Sequence, residues 1–419
     1  MNILTRQYMK QLLISLSMSL AMFSTGANAA PGNLANQPLF LSSNVQANIF
    51  FATDDSGSMD WETTLNDGTY NPGQVNFNFL PNPPTSAGGL PDDWYREIRR
   101  SLCLGFNVLA YNPDSVYTPW KGEDEDGIDY SNKSLTSALF DPYDNDSTRD
   151  ISNHVYFVWN DADADGQYDG PGSASFGAAN NAATDECGDV SADITANTIQ
   201  VNSLPATLNP GDTGYPNSQQ NYANWWTYYR KREYVAKKAM SELIWNSNHR
   251  MGLATLHDNN SVGTPISDMT VSTNKDNLLS ELGQINSTGG TPLRRLLRNT
   301  GRYFDKAGSN SDHSDLGFTS SSPILSTTNG GECQQNFAVL FSDGFWNGGS
   351  PSVGNTDGGT SNSMWDGGSY ADSISNTLAD VAMYYYETDL ATGIADKVRP
   401  IENIDENEAQ HLTTYTVAF

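Results

Sequence analysis

Short apolar runs that end in polar residues alternate along this chain with stretches of helical spacing. The run "ANIFFATD" (47–54) is typical of a buried parallel strand, and "NFAVLFSDG" (336–344) repeats the pattern. "RKREYVAKKAMSELIW" (230–245) carries apolar side chains at near-helical intervals, which predicts a helix. The same reasoning predicts further strands in 251–258 and 411–419, and further helices in 276–285, 292–304 and 377–390.

Strands that alternate with helices predict an α/β fold with a doubly wound, mainly parallel sheet and long insertions. Ligands of such sheets bind outside the carboxyl ends of the strands. Asp54 and Asp343 both lie at the end of a predicted strand. The turn that bears Thr291 reaches the same edge if it folds back over the sheet. We therefore expect three separate segments with oxygen ligands to converge on one edge.

Long stretches rich in Gly, Asn, Asp and Ser interrupt this alternation at about 61–221, 307–335 and 348–376. Loops of such length inside a domain are usually functional or disordered. The first is long enough for a subdomain, and we assign residues 62–220 to an insertion. It leaves the chain after Ser58 and returns at the first helix, so we expect it to wall or cover the site at the sheet edge.

The first residues are typical of an export signal. Arg6 and Lys10 precede an apolar run (12–23), and "ANA" (27–29) is a small-x-small cleavage site. We expect residues 1–29 to be removed, leaving a domain of residues 30–419; an uncleaved membrane anchor is the alternative. No later segment approaches the roughly 20 apolar residues of a spanning helix. The protein is therefore predicted to be exported, to the periplasm, the outer surface or the medium.

The charge of the chain narrows its partners. The formal net charge is −27, and loss of the two positive charges of the signal would bring it near −29. Nucleic acid and anionic lipid would be repelled, so neither is expected as the main partner. Divalent cations are favoured instead, because the acidic residues are clustered.

Three cysteines, Cys103, Cys187 and Cys333, are present. In an oxidising compartment, one disulfide and one remaining thiol are expected. A Cys103–Cys187 bond would close the long insertion, but the sequence leaves the connectivity open. No C-x-x-C motif occurs, which argues against a thiol redox or zinc-ribbon site.

The residues expected at the sheet edge have the chemistry of a divalent-cation site. They are the D-x-S-x-S residues Asp54, Ser56 and Ser58, then Thr291 in "GGTPL" and Asp343 in "FSDG". Hard oxygen ligands suit Mg²⁺, Mn²⁺ or Ca²⁺. Neutral hydroxyls leave the ion with net positive charge, so it can attract an external carboxylate. The alternative is that these residues are only caps and turns.

These five residues, in this order of elements, resemble the metal-ion-dependent adhesion site of von Willebrand factor A domains. The resemblance implies that Ser56 and Ser58 bind Mg²⁺ or Mn²⁺ directly and that Thr291 binds directly or through water. It implies that Asp54 and Asp343 act mostly through water. The remaining position would take an acidic group from a protein ligand or a host receptor.

A second acidic cluster, "NDADADGQYDG", matches the first part of an EF-hand loop. Gly172 stands at the twelfth position, where a bidentate Glu is needed, so we expect weaker Ca²⁺ binding or completion from elsewhere. A solvated acidic turn is the alternative, and it is the favoured interpretation of "EDEDGID" (123–129). The predicted calcium ligands are Asp161, Asp163, Asp165, Gln167 through its carbonyl, and Asp169.

Four segments resemble the PilY family of type IV pilus tip-associated proteins: "NYANWWTYYRKR", "CQQNFAVLFSDGFWN", "LADVAMYYYETDL" and "HLTTYTVAF". In that family an A domain precedes a β-propeller with its own calcium site. The chain is expected to be a C-terminally incomplete A domain without the propeller. The resemblance implies cation-dependent adhesion and assembly at the pilus tip, with roles in pilus biogenesis, attachment and twitching motility, and minor pilins as partners.

Two other function classes compete with this interpretation. The first is a general secreted A-type binding module unrelated to pili, and the second, more remote, is a metal-dependent hydrolase. The five histidines are scattered and no general base accompanies the site in sequence, so no enzymatic activity is expected. Of the aromatic residues, Tyr385 and most of the "NWWTYYRKREY" group are expected in the core, and Trp61 at a contact rim.

Overall fold

A computed structural model describes most of the predicted domain. The described residues are 45–64, 102–105, 107–157, 159–160, 186–187, 198–206, 211–212, 214–256, 262–306, 314–344, 346–358, 371–401 and 404–418. The predicted signal peptide (1–29) and the predicted calcium loop (161–169) lie outside them.

Within these residues the regular elements follow one another in an α/β order. The strands are β1 (Asn48–Thr53), β2 (Ala138–Leu139), β3 (Thr148–Arg149), β4 (Val155–Phe157), β5 (Trp159–Asn160), β6 (Glu186–Cys187), β7 (Thr198–Gln200), β8 (Arg250–Thr255), β9 (Gly263–Asp268), β10 (Asn336–Ser342) and β11 (Thr413–Ala418). The α-helices are α1 (Gln219–Tyr228), α2 (Arg232–Asn246), α3 (Ser272–Gln284), α4 (Leu293–Phe304) and α5 (Leu378–Glu387).

The central sheet has five strands in the order β11-β10-β1-β8-β9. β1 is parallel to both of its neighbours, with Phe50 opposite Ala338 and Gly252. β11 is parallel to β10, and only the edge strand β9 runs antiparallel. Every residue of β1 is buried, as expected of a strand covered on both faces. The predicted mixed α/β architecture with a mainly parallel sheet is confirmed.

Helices pack on both faces of this sheet. Successive side chains of a strand point to opposite faces. Phe50 contacts the ring of Tyr303 on α4, with ring centroids 5.6 Å apart. On the other face the Thr53 hydroxyl lies 3.5 Å from the sulfur of Met240 on α2. The α5 helix begins with a capping box, in which Thr377 and Asp380 exchange hydrogen bonds.

Two elements differ from the sequence prediction. The predicted helix 230–245 is preceded by a separate helix, α1, and the break falls where Arg230 is fully buried and bonded to the Glu62 carboxylate and the Trp226 carbonyl. Strand β9 was not predicted, because it lacks apolar alternation and contains Pro265. An edge strand tolerates proline, since one side of its backbone needs no partner.

Aromatic side chains form the core of the insertion. Tyr111 contacts the rings of Tyr156, Tyr222 and Trp225 at centroid distances of 4.9–5.8 Å. All four are buried in one cluster on α1. Tyr385 is buried as well. So are Trp225, Trp226, Tyr228 and Tyr234 of the "NWWTYYRKREY" group. The prediction that Tyr385 and most of that group belong to the core is confirmed.

Two further observations concern the predicted cysteine pairing and the predicted lack of membrane-spanning helices. Cys103 is disulfide-bonded and Cys333 is a free cysteine, so the remaining thiol lies just before β10. In the described part of the chain, no helix combines the length and the apolar character needed to cross a bilayer.

Candidate metal centre

Asp54 lies at the carboxyl end of β1, between two parallel strands. Its backbone N–H donates to the Phe341 carbonyl at 2.9 Å. Its fully buried carboxylate accepts hydrogen bonds from the Ser56 backbone N–H at 2.9 Å and from the Ser342 hydroxyl at 2.7 Å. Burial raises the pKa of Asp54 although these hydrogen bonds oppose the rise. The side chain is therefore fixed at the sheet edge.

Ser56 and Ser58 converge next to Asp54. A 3₁₀ turn at Gly57–Asp60 folds the chain back after the strand, and the buried side chain of Met59 anchors it. The two hydroxyl oxygens lie 3.2 Å apart. The Ser56 residue is only 1 % exposed, so its hydroxyl is shielded from bulk water.

Asp55 ties the loop 54–58 to its other neighbours. Its carboxylate accepts a hydrogen bond from the Leu256 backbone N–H at 2.9 Å, at the end of β8. Its carbonyl accepts one from the Thr288 N–H at 2.7 Å. Burial raises the pKa of Asp55 to about 7, against hydrogen bonds from Thr255 and Leu256 that lower it.

The loop that bears Thr291 folds over the same edge, as predicted. The Gly57 N–H donates to the Gly289 carbonyl at 3.2 Å. Thr291 exchanges two hydrogen bonds with Asn347, each 2.8 Å long: its N–H donates to the Asn347 side chain, and its carbonyl accepts from the Asn347 N–H. A Cβ at Gly290 would lie 2.9 Å from the Asn347 side-chain oxygen, so a larger residue there would displace the side chain that binds the Thr291 N–H.

A buried ion pair on α2 holds the start of this loop. Glu233 and Lys237 are one helical turn apart, and their charged atoms lie 2.6 Å from each other. The second oxygen of Glu233 accepts from the Ser287 N–H at 2.8 Å. The Lys237 ammonium donates to the carbonyls of Gly283 and Ile285. The helix thus fixes both the end of α3 and the beginning of the threonine loop.

Asp343 follows β10 and completes the group of residues at this edge. One carboxylate oxygen, Oδ2, accepts from the Arg232 guanidinium at 2.7 Å. The other, Oδ1, is buried and has no hydrogen-bond partner among the described residues. A buried carboxylate oxygen without a partner is costly, so this atom fits a position reserved for a ligand.

Arg232 belongs to a basic triplet, Arg230 to Arg232, that sequence reasoning did not assign to the site. Each member forms an ion pair with an acidic residue that closely follows β1 or β10: Arg230 with Glu62, Lys231 with Asp60, and Arg232 with Asp343. Basic residues at a helix N-terminus oppose the helix dipole. Three basic residues at the start of a predicted helix could therefore have indicated, from the sequence alone, that acidic partners lie nearby.

Two tryptophans lie beside the loops of the site. Trp61 packs under the Arg232 guanidinium, 4.9 Å from its ring centroid. Trp346, which the sequence did not indicate, is 52 % exposed and carries the Arg294 guanidinium 3.6 Å over its ring. Both follow a predicted metal ligand closely in the chain.

A separate acidic patch lies on the insertion. Possible ligand atoms of Glu125, Asp144 and Asp146 lie within 4.8 Å of one another, and all three residues are exposed. Partial desolvation and the neighbouring carboxylates raise the pKa of Glu125. The sequence suggested only a solvated charge run here, because the segments that meet are far apart in the chain.

The donor set at the sheet edge fits a hard divalent cation. Two serine hydroxyls converge, two carboxylates lie within electrostatic reach of each other, and one carboxylate oxygen is buried without a partner among the described residues. Such oxygen ligands suit Mg²⁺, Mn²⁺ or Ca²⁺. The hydrogen bonds between Asp54, Thr291 and their neighbours fix these loops before any ion binds.

Comparison with known proteins gives relatives of one kind, each named type IV pilus biogenesis factor PilY1, from Pseudomonas aeruginosa. The protein of strain UCBPP-PA14 is 27 % identical over 429 residues, covering 95 % of this chain and 32 % of the relative. That of strain ATCC 15692 is 25 % identical over 450 residues, covering 97 % and 34 %. That of strain PAK is 31 % identical over 231 residues, covering 48 % and 19 %.

This similarity, although modest, supports a relationship to the PilY family over nearly the whole chain. The chain spans about a third of the length of these two relatives. No protein-family model and no solved structure matches it.

Proposed function

We propose that the five residues at the sheet edge bind one divalent cation, Mg²⁺ or Mn²⁺. Ser56 and Ser58 would hold it through their hydroxyls, with Thr291 beside them and with Asp54 and Asp343 as charged partners. The observation that carries the proposal is the buried Asp343 Oδ1, which has no partner among the described residues. When bound, the ion supplies a positive charge that attracts a carboxylate of a partner protein.

The fold that we propose is that of a von Willebrand factor A domain with a long insertion. Its support is the strand order, with β1 in the middle of a mainly parallel sheet, and the convergence of three ligand-bearing segments on the carboxyl edge. The rim residues Trp61 and Trp346 would then contact the partner around its carboxylate. Tryptophan suits such contacts, because it offers a large rigid surface.

We propose that the protein is exported and takes part in adhesion and assembly at the type IV pilus tip, without catalysis. The support is its similarity to proteins named type IV pilus biogenesis factors. Its partners would be an acidic group on a protein ligand or host receptor, and minor pilins. The net charge of −27 disfavours nucleic acid as a partner.

The segment 161–169 is proposed as a Ca²⁺ loop within the insertion. Its support is the sequence alone: alternating aspartates with a glycine at the sixth position. Binding there should stiffen the insertion. If Ca²⁺ left the protease sensitivity of residues 62–220 unchanged, or if Asp165→Ala did not alter its effect, this part of the proposal would be abandoned.

The test of the function is genetic complementation in the organism that carries the gene for this chain. A deletion strain would receive the wild type, Ser56→Ala, or the control Ser267→Ala, in which a serine of the edge strand β9 is changed. We expect loss of surface pili in the deletion strain. We expect the Ser56→Ala protein to be exported. Cells that carry it should attach no better than wild-type cells do in the presence of a chelator.

Each role has its own contradicting result. Normal surface pili in the deletion strain would refute the assembly role. Wild-type attachment by Ser56→Ala, with no effect of chelator, would refute cation-dependent adhesion.

A further inference from the structure

Arg232 is bound on every side to residues that frame the candidate metal centre. Its backbone N–H donates to the Trp61 carbonyl at 3.1 Å. Its Nε and Nη2 donate to the Thr63 carbonyl at 3.1 and 2.8 Å, and Nε also reaches the Thr64 hydroxyl at 3.0 Å. Its Nη1 donates to Asp343 Oδ2 at 2.7 Å. One guanidinium therefore links the start of the insertion to a predicted metal ligand.

This guanidinium places a fixed positive charge at the centre. The Arg232 side chain is 12 % exposed and that of Asp343 only 1 %, so water screens the pair poorly. The charge of Arg232 also interacts with Asp54, the other carboxylate of the centre. Of the two negative charges offered to a divalent cation, one is already paired.

The position of Arg232 is unfavourable for its own helix. It is the first residue of α2, where the helix dipole is positive, and burial lowers the pKa of the guanidinium. A positive charge at this position is stabilised by its partners, Asp343 above all. The residues of the candidate metal centre, and not the helix, therefore account for a positive charge at this position.

We propose that Arg232 acts as a built-in cation that competes with the divalent ion for the negative charge of Asp343 and so weakens ion binding. The inference rests on the proposed cation site and deepens it. Removal of a unit charge a few ångströms from a divalent ion changes the affinity for that ion by about tenfold at the permittivity of water, and by more at the lower effective permittivity of a protein site. The centre is thus set to a lower affinity than its oxygen ligands alone would give.

The competing explanation is that Arg232 only orients Asp343. Since Nη1 holds Oδ2, the other oxygen, Oδ1, stays in place as a ligand. Removal of the guanidinium would then weaken ion binding, whereas competition predicts the opposite change. The sign of the effect separates the two roles.

The test is calorimetric titration of the chain with Mn²⁺ and Mg²⁺ at pH 7.5. The proteins are the wild type, Arg232→Gln, Arg232→Lys, and Arg232→Gln combined with Ser56→Ala. Arg295→Gln is the matched control, because Arg295 pairs with Asp315, which is not one of the five site residues. Thermal melting checks that each variant is folded.

We expect Arg232→Gln to bind Mn²⁺ at least about tenfold more tightly, Arg232→Lys to stay within about threefold of the wild type, and the control to match the wild type. The added Ser56→Ala should remove the gain. Equal or weaker binding by Arg232→Gln would overturn the competition. If Arg232→Gln failed to fold, Arg232→Lys decides: it keeps the charge, so a gain above tenfold would overturn the proposal.

Failure of the proposed function gives a different pattern. In that case neither the wild type nor Arg232→Gln binds either ion, and the inference falls with it. Binding by Arg232→Gln alone would support both, since the guanidinium would then exclude the ion completely.

Discussion

The buried pair of Glu233 and Lys237 gives a stringent test of how the threonine loop is held. Lys237→Met replaces the ammonium by an apolar side chain of similar length. The carboxylate of Glu233 loses a partner at 2.6 Å, and the carbonyls of Gly283 and Ile285 lose their ammonium donor. The side chains are 6 % and 2 % exposed, so water cannot replace these contacts.

The size of the effect follows from this burial. Removal of one partner of a buried ion pair costs about 3–5 kcal/mol, because the other charge stays in a poorly solvated place. In Glu233→Gln/Lys237→Met the uncompensated charge is absent, and the Gln oxygen can still accept from the Ser287 N–H. We expect the double variant to recover most of the loss and to remain about 1–2 kcal/mol below the wild type.

The assay is urea unfolding at pH 7, followed by tryptophan fluorescence and by circular dichroism. Lys397→Met is the control: Lys397 also pairs with an acid, Glu332, but its side chain is 57 % exposed, so little change is expected. A loss below 1 kcal/mol for Lys237→Met would refute the reasoning. A double variant less stable than the single one would refute it too.

Three further predictions concern single residues. Burial raises the pKa of Asp55 to about 7, so the folded metal-free protein keeps a proton that the unfolded chain loses, and its stability should fall by up to about 4 kcal/mol from pH 4 to 7. Asp55→Asn, measured by urea midpoints across this range, should flatten the fall. Equal pH profiles of the variant and the wild type would contradict this prediction. Gly301→Ala adds a methyl group that overlaps the Tyr385 ring, so it should destabilise the protein by about 1–3 kcal/mol although alanine favours helices. Gly393→Ala is the control, because no atom lies near the added methyl group there. A higher melting temperature for Gly301→Ala would refute the predicted overlap with Tyr385. Burial raises the pKa of Asp405, but hydrogen bonds from His411 and Tyr386 outweigh this effect and bring the pKa below its usual range. Asp405→Asn should therefore destabilise the protein at pH 7 and less so below about pH 4. A stability difference that grows as the pH falls would contradict this prediction.

The sequence was sufficient to predict four of the five strands that form the central sheet. β1 and β10 are short apolar runs that end in acids, and the structure pairs them in parallel with the ends of both runs at one edge. Burial on both faces makes such runs continuously apolar, which is why the pattern predicts them well. β9 was missed because a half-exposed edge strand carries no such signal.

The five site residues could be selected from the sequence because each follows a strand or lies in a glycine-containing turn. Their partners could not. Arg232 and Asp343 are 111 residues apart, and Thr291 and Asn347 are 56 apart. Only the fold decides which of many arginines or asparagines reaches a given loop. The basic triplet at the start of α2 was the one local hint, because its charges oppose the helix dipole.

The most direct test of the cation site is an X-ray structure of the chain soaked with Mn²⁺, with data collected for its anomalous signal. We predict a strong anomalous peak within about 2.0–2.6 Å of the Ser56 and Ser58 hydroxyl oxygens, the range of direct oxygen ligands, and none there in Ser56→Ala. A peak only at the acidic patch of Glu125, Asp144 and Asp146, or none at the sheet edge, would contradict the account.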